Sequence, residues 1–439
     1  MGIPMAQIPD ILLVPGQYQE IDNSLAGSVG EIKKALIVGC KTEAGTAPAG
    51  IPVRALSESG TAALCGAGSD AHLMARAFLK LNNVEECWIL PLAPPDAGTK
   101  WSKTFAVSGA AVADGSVSIT VCGTALEAAV FKGDSAAQAA AAITAKINSE
   151  TGLPVEAAIE SDTTVRLTSL VKGYLTNHIT AEISGIPDGI AIEAGSVTAG
   201  SGGETALDIQ AAFPQISNIR FNYIVWGLDS AAHIKNIADE LESRFEAMRQ
   251  IGGRAFIALS GGVEAMLAKA AQVNSPHIVL LPRGDAAQLP CVWAASFCAA
   301  VCRILADDPA ANTYDTKVDG LQADAEFDTT MRQKLLEAGI ATWRLDTAGS
   351  VLAERLVTSY TENTDGGRDT SYLDVQVTET VDAVRTYINA EAKKRFKTWK
   401  LAGTEENFGA GAKVMTPGVW RSFLAELYSQ VFIKDKQWG

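Results

Sequence analysis

A chain of 439 residues is long enough for two or three domains, and 47% hydrophobic against 20% charged residues is ordinary globular composition. The net charge of −14 argues against a nucleic-acid surface or an anionic membrane as partner, because both require Lys/Arg patches. Seven cysteines, scattered without CxxC or Cys/His zinc spacing, read as buried reduced thiols, which suits a reducing cytoplasm; no metal site is expected.

Residues 1–23 hold Pro4, Pro9 and Pro15 around the short apolar run Ile8–Val14. That proline spacing forbids a helix and favours an extended arm, suited to pairing with a sheet edge in its own subunit or a neighbour's. A frayed terminus is the alternative. No basic stretch followed by an apolar one marks a secretory leader, and no run approaches the ~20 apolar residues of a membrane span.

Ala35–Gly39 (ALIVG) is a buried strand, Ser69–Leu81 a helix with Leu73, Met74, Phe78 and Leu81 on one face, and Cys87–Leu90 (CWIL) a second strand. The pattern then changes. Pro91, Pro94, Pro95 and Gly98 punctuate one end of a segment and Ala199–Gly203 the other, and between them Val117, Ile119 and Val121 alternate with polar residues. Val165/Leu167 and Ile179/Ala181/Ile183 repeat that period, interrupted by one helix, Ser135–Asn148, for which Asp134 is the expected cap. Residues 97–203 are expected to be a small, β-rich α+β domain inserted into a larger one and facing outward.

From Phe221 to Leu281 the chain alternates apolar runs (Asn222–Gly227, Arg254–Ser260, His277–Leu281) with amphipathic segments, His233–Gln250 and Gly262–Val273. Strands apolar on both faces, separated by helices, predict an α/β fold with a mostly parallel sheet and flanking helices. Residues 24–96 and 204–439 would form this discontinuous core. Further on, Pro290–Leu305 reads as a buried helix with Cys291, Cys298 and Cys302 on one face, Phe327–Ala338 as an amphipathic helix, and Ile340–Leu345 as a strand. Asp365-Gly366-Gly367 marks a turn. Val377–Leu401 reads as a long helix with the stripe Val381, Val384, Ile388, Ala392, Phe396 and Trp399; Lys393, Lys397 and Lys400 gather opposite it. That basic island is a candidate contact for an acidic partner, a solvated helix face being the alternative.

Catalytic patterns are weak. Gly66-Ala67-Gly68-Ser69-Asp70-Ala71 matches GxGxx(G/A) with Glu86 twenty residues on, but Ser59–Leu64 before it is a poor strand and Glu86 precedes Cys87–Leu90, so a helix-entry loop is the better reading. There is no phosphate loop and no GxSxG elbow. None of His72, His178, His233 and His277 begins a triad or zinc motif. Ser260, in LSGG after a strand, is expected to cap the following helix, and Asp307-Asp308 before Pro309 to form a turn. No catalytic or cofactor-binding residue is assigned, and no cofactor is expected.

Three stretches, in this order, resemble the contractile tail sheath proteins of bacteriophages, in the Mu-like branch. They are Val14-Pro15-Gly16-Gln17-Tyr18-Gln19-Glu20-Ile21-Asp22-Asn23-Ser24; the α/β core from about 205 to 345; and a C-terminal part, about 346–439, with Val357–Tyr360, Ser371–Val375, the long helix and Thr416-Pro417-Gly418 leading into Val419–Tyr428. The resemblance implies a subtilisin-like core topology without a protease site and an outward inserted domain. It implies a non-enzymatic virion subunit, assembled in the host bacterial cytoplasm as hexameric rings in a helical array around a tail tube. The array meets a baseplate and a tail terminator, and drives the tube through the host envelope when it contracts. On this reading the arm around Ile11, Val14, Pro15 and Tyr18 links neighbouring subunits, and Lys393, Lys397 and Lys400, or the helix from Val419, face the tube. Relatives of this type continue past the segment that ends here at Gly439, with strands that join the inter-subunit mesh. Two other readings stay open: a hydrolase or nucleotide-binding enzyme on the same fold, and the sheath of a phage-like bacteriocin or secretion apparatus.

Overall fold

The computed structural model describes residues 33–204, 209–403 and 412–438. Strand β1 (Lys34–Cys40) is followed by the two-residue β2 (Val53–Arg54) and by β3 (Glu86–Leu92). The segment after Leu92 contributes β4 (Ser102–Gly109), β5 (Gly115–Val121), β6 (Thr124–Val130), β7 (Val155–Ser161), β8 (Thr164–Ser169), β9 (Ala181–Ser184) and β10 (Ile190–Thr198). The chain then returns with β11 (Tyr223–Trp226), β12 (Arg254–Ser260) and β13 (Ile278–Gly284). The central sheet has the order β13-β12-β11-β1-β3-β2, and every pair is parallel except the edge pair of β2 with β3. The α/β core with a mostly parallel sheet is therefore present.

The apolar runs behave as strands buried on both sides must: successive residues feed opposite layers. Ile37, Ile89, Val225, Phe256 and Val279 enter one core, and Leu36, Leu90, Ile224, Ile257 and Leu280 the other. The first layer is covered by α2 (Asp70–Leu81), which follows the short α1 (Glu58–Cys65), and by α7 (Pro290–Asp307). The second is covered by α4 (Phe213–Ile216), α5 (Ala231–Phe245) and α6 (Val263–Ala270). Each fully buried Trp, Phe or Leu in these layers contributes about 1.5–3 kcal/mol relative to exposure. Helix α7 has the length and apolarity to cross a membrane, but it is the core helix here: Trp293, Phe297, Cys298, Val301 and Cys302 are fully buried against α2 and the sheet.

Within 97–203 two antiparallel sheets form, β10-β4-β8-β7 and β6-β5-β9, with α3 (Ala136–Ser149) packed against them. The cap of α3 differs from the expected one. Ser135 and Gln138 make a reciprocal capping box, while the Asp134 carboxylate accepts from the Phe131 N–H, because a serine hydroxyl one position later reaches the third helical N–H. The apolar residues of this segment join the same cluster as one face of the central sheet, so the insertion is seated on the core.

Beyond β13 a small antiparallel sheet forms from β14 (Thr316–Lys317), β15 (Thr342–Leu345) and β16 (Val351–Arg355), next to α8 (Thr329–Glu337). Ile340 lies beside Leu280 through one parallel bridge, and the Ser359 N–H donates to the Ile278 carbonyl, which covers part of the β13 edge. Helix α9 (Val375–Phe396) ends before Leu401, and Lys400–Leu401 instead pairs as a short strand with Val414–Met415. Helix α10 (Pro417–Glu426) runs into a π-helical turn, Leu427–Asp435. The GxGxx(G/A) stretch joins α1 to α2, so it is a helix-entry loop and not the turn after a strand.

Candidate functional site

The crevice at which open α/β sheets hold ligands lies at the C-terminal ends of β1 and β11, where successive crossovers leave in opposite directions. Here protein fills it. Met74 of α2 lies against Gly39 and Gly227; a Cβ at Gly39 would overlap the Met74 methyl, and one at Gly227 would stand 2.9 Å from it.

Next to this plug sits a polar hub. His178 ends the 3-10 turn Tyr174–His178 of the insertion, Asp229 follows β11, Ser260 ends β12 and Lys269 lies on α6. One oxygen, Asp229 Oδ2, receives the Lys269 ammonium at 2.8 Å and the Ser260 hydroxyl at 3.3 Å, and it stands 3.4 Å from His178 Nε2. Ser260 Oγ is also 3.1 Å from His178 Nδ1. Burial alone would raise the Asp229 pKa, but hydrogen bonding and charge from His178 and Lys269 hold it well below the usual carboxylate range. These are the residue types of a hydrolytic triad in a different arrangement. The imidazole touches both the Ser260 hydroxyl and the carboxylate, but the same carboxylate oxygen also accepts directly from Ser260 and Lys269, so it is not reserved for orienting the imidazole. The hub ties the insertion to the core. It also overturns the expected helix cap: the cap residue of α6 is Gly262, which has no side chain, and the Ser260 hydroxyl is taken up by Asp229 and His178. His178, Asp229 and Lys269 carried no shared motif, since three separate elements bring them together.

At the opposite end of the sheet, buried carboxylates anchor α9. Asp382 pairs with Arg220 at 2.9 Å and with Arg385 at 3.2 Å, and Glu379 lies 3.5 Å from Arg254. Burial opposes ionisation of both acids. The charges of Arg220, Arg254 and Arg385 win at Asp382 and lower its pKa, while at Glu379 burial wins and raises it. Gly252 packs directly on Asp382, where a Cβ would overlap the carboxylate. The i, i+3 spacing of these acids at the start of a helix was the one legible signal of this clamp.

Further along α9, the expected stripe is present. Val384, Ile388, Ala392 and Phe396 pack against Phe423, Leu427 and Phe432 of the C-terminal helices, with Phe396 edge-on to Phe423 at 5.0 Å between ring centres. Val381 departs from the stripe and is 37% exposed. Lys393 and Lys397 are exposed at the C-terminal end of α9. Lys400 is exposed too, but it lies on the short strand beyond the helix, so the three do not share a helical face. None of the three has an ion-pair partner among the described residues, in contrast to Arg395, which pairs with Glu391 and Glu426. Ile11, Val14, Pro15 and Tyr18 lie outside the described residues. Cys291, Cys298 and Cys302 are buried free thiols on α7.

Residues 202–359, which contain β11 to β13, the hub residues Asp229, Ser260 and Lys269, and β14 to β16, match the family of the phage tail sheath protein central domain. End to end, the chain is 28% identical to the Mu-like prophage FluMu tail sheath protein of Haemophilus influenzae, over 98% of this chain and 90% of that protein. Over nearly its whole length the chain is similar to a tail sheath protein. Among solved structures, the chain is similar to the sheath tail protein from Desulfitobacterium hafniense (12% identity, 87% of this chain and 83% of the other, TM-score 0.43). It is also similar to the helical sheath of the anti-feeding prophage in its contracted state (11% identity, 96% and 85%, TM-score 0.41).

Proposed function

We propose that this protein is a structural, non-enzymatic subunit of a contractile tail sheath. Copies polymerise as hexameric rings in a helical array around a tail tube, assembled in the host cytoplasm, and contraction drives the tube through the host envelope. The observation that carries this reading is the alignment with a tail sheath protein over 98% of the chain, too long to leave out the insertion. The insertion at 97–203 faces outward, and the N-terminal arm around Ile11, Val14, Pro15 and Tyr18 adds a strand to a neighbour. Head-to-tail contacts that do not close on themselves generate the helix. Contraction is a rigid-body rearrangement from a metastable packing to a lower-energy one. The dense two-layer core supports that role, because a close-packed interior transmits force without deforming.

The test is electron microscopy of the protein expressed with the tube protein of its own tail operon. Striated cylinders or stacked rings support the sheath reading, and monomers that ignore the tube sink it. Ester or peptide turnover that disappears in Ser260→Ala would favour a hydrolase instead.

A further inference from the structure

A second site lies beside the buried clamp of α9, at the end of the sheet away from the Asp229 hub, and it does not depend on the sheath reading. At the N-terminal ends of β12 and β13 a cavity of about 370 Å³ opens between the end of α5, the loop before β13 and the start of α9. Phe245, Pro276, Tyr372 and Val381 supply apolar wall. Arg254, only 1% exposed, also lines it. The Arg254 Nε donates to Thr378 Oγ1 at 2.8 Å, Nη1 donates to the Gly253 carbonyl at 2.8 Å and stands 3.3 Å from His277 Nδ1. Nη2 is buried and has no hydrogen-bond partner among the described residues. A buried donor without an acceptor is costly, so this nitrogen calls for an incoming oxygen.

The charges around it define that oxygen. Glu379 already lies 3.5 Å from the guanidinium, Glu242 stands 3.3 Å from His277 Nε2, and Glu362 lines the same cavity. Two carboxylates line the cavity with one guanidinium and a buried imidazole, and a third already pairs with that guanidinium, so an added anion is disfavoured. A cation would meet a floor whose free group is a donor. An uncharged acceptor fits both conditions, and the volume falls in the range that holds one small apolar body.

We propose that this cavity binds an uncharged amide or peptide carbonyl carried next to an aromatic or branched apolar group, with Arg254 Nη2 donating to the carbonyl oxygen and Phe245, Pro276 and Tyr372 enclosing the apolar part. The chemistry is shared by a free small amide and by an exposed residue of another polypeptide.

The full chain is titrated with N-acetyl-phenylalaninamide and followed by NMR of labelled Arg and Tyr side chains. N-acetyl-phenylalanine and phenethylamine serve as the anionic and cationic comparators. The expected result is saturable binding of the amide, with the charged probes at least about tenfold weaker, the scale of one hydrogen bond made or lost in a buried site. Val381→Trp closes the mouth without touching Arg254, and it should abolish binding while the protein melts as before. Arg254→Lys should weaken binding about tenfold. Tighter binding of acetyl-Gly-Phe-Gly-amide than of the single amide assigns the site to a polypeptide; equal binding assigns it to a free amide. No saturable binding, equal binding of all three probes, or a crystal structure of the soaked protein with only a water at Nη2 would overturn the proposal.

Discussion

His178 Nε2 stands 3.4 Å from Asp229 Oδ2, and this contact joins a turn of the inserted segment to the C-terminal end of the central sheet. Asp229 is 3% exposed, and its other oxygen has no partner among the described residues, so its contacts to His178, Ser260 and Lys269 all converge on one atom.

Asp229→Asn should therefore lower the unfolding free energy by about 1–3 kcal/mol, the cost of leaving buried polar groups without partners. Because the folded-state pKa is depressed, the stability Asp229 contributes is complete above the unfolded value of about 4 and is lost as pH falls through the folded value. The gap between wild type and variant should start to close below about pH 4. Chemical denaturation across pH, with hydrogen exchange of 174–180, measures both; unaltered protection of that turn would show the hub to be idle.

Asp70, at the start of α2, behaves in the opposite sense. Burial raises its carboxyl from the usual range to about 7, an effect the charge of His178 only partly offsets. The folded state then holds a proton that the unfolded chain has released above about pH 4, so stability drops as pH rises from about 4 to 7 and the loss is complete beyond that. Asp70→Asn should remove this slope and melt higher than wild type at pH 8. A variant that melts lower at pH 8 would mean that the carboxylate has a partner in solution.

Gly252→Ala should be among the most damaging single-methyl additions, because the new Cβ overlaps the Asp382 carboxylate that holds Arg220 and Arg385. Overpacking of this kind costs about 1–3 kcal/mol. At Gly262 a Cβ would meet nothing within 4 Å and the backbone is already extended, so Gly262→Ser should be neutral or gain a few tenths of a kcal/mol as a helix cap. Thermal melts of the pair separate a packing requirement from a general intolerance of substitution.

Reversing Lys393, Lys397 and Lys400 to Glu should reduce co-sedimentation with the tube, more strongly at low salt, and leave the monomer's melting temperature unchanged, since the three are exposed and make no ion pair among the described residues. Normal assembly of the triple variant would exclude the basic end of α9 as a tube contact.

Much of the core was readable because its signals are local. Ala35–Gly39 and Arg254–Ser260 are apolar on both faces, and only a sheet covered on both sides accepts such strands. The insertion announced itself by a change from helical to two-residue periodicity between two proline- and glycine-rich boundaries. Strands β7 and β10 are not legible, because their small, polar, mostly exposed residues give little alternation, and in β6 alanines blur a strict alternation of burial. The end of α9 is not legible in the stripe either: Phe396 and Trp399 continue it, but their rings meet edge to face at 4.8 Å across the helix end.

What the amino-acid order determined by itself was the kind and sequence of elements, since hydrophobic period, caps and turns act over a few neighbouring residues. Only the tertiary structure decided what the buried polar groups do. Asp229, His178, Ser260 and Lys269 come from four places along the chain, and Glu379 and Asp382 meet Arg254 and Arg220, each more than a hundred residues away. Charge pairing at 3 Å depends on distance in space, and no local pattern encodes it.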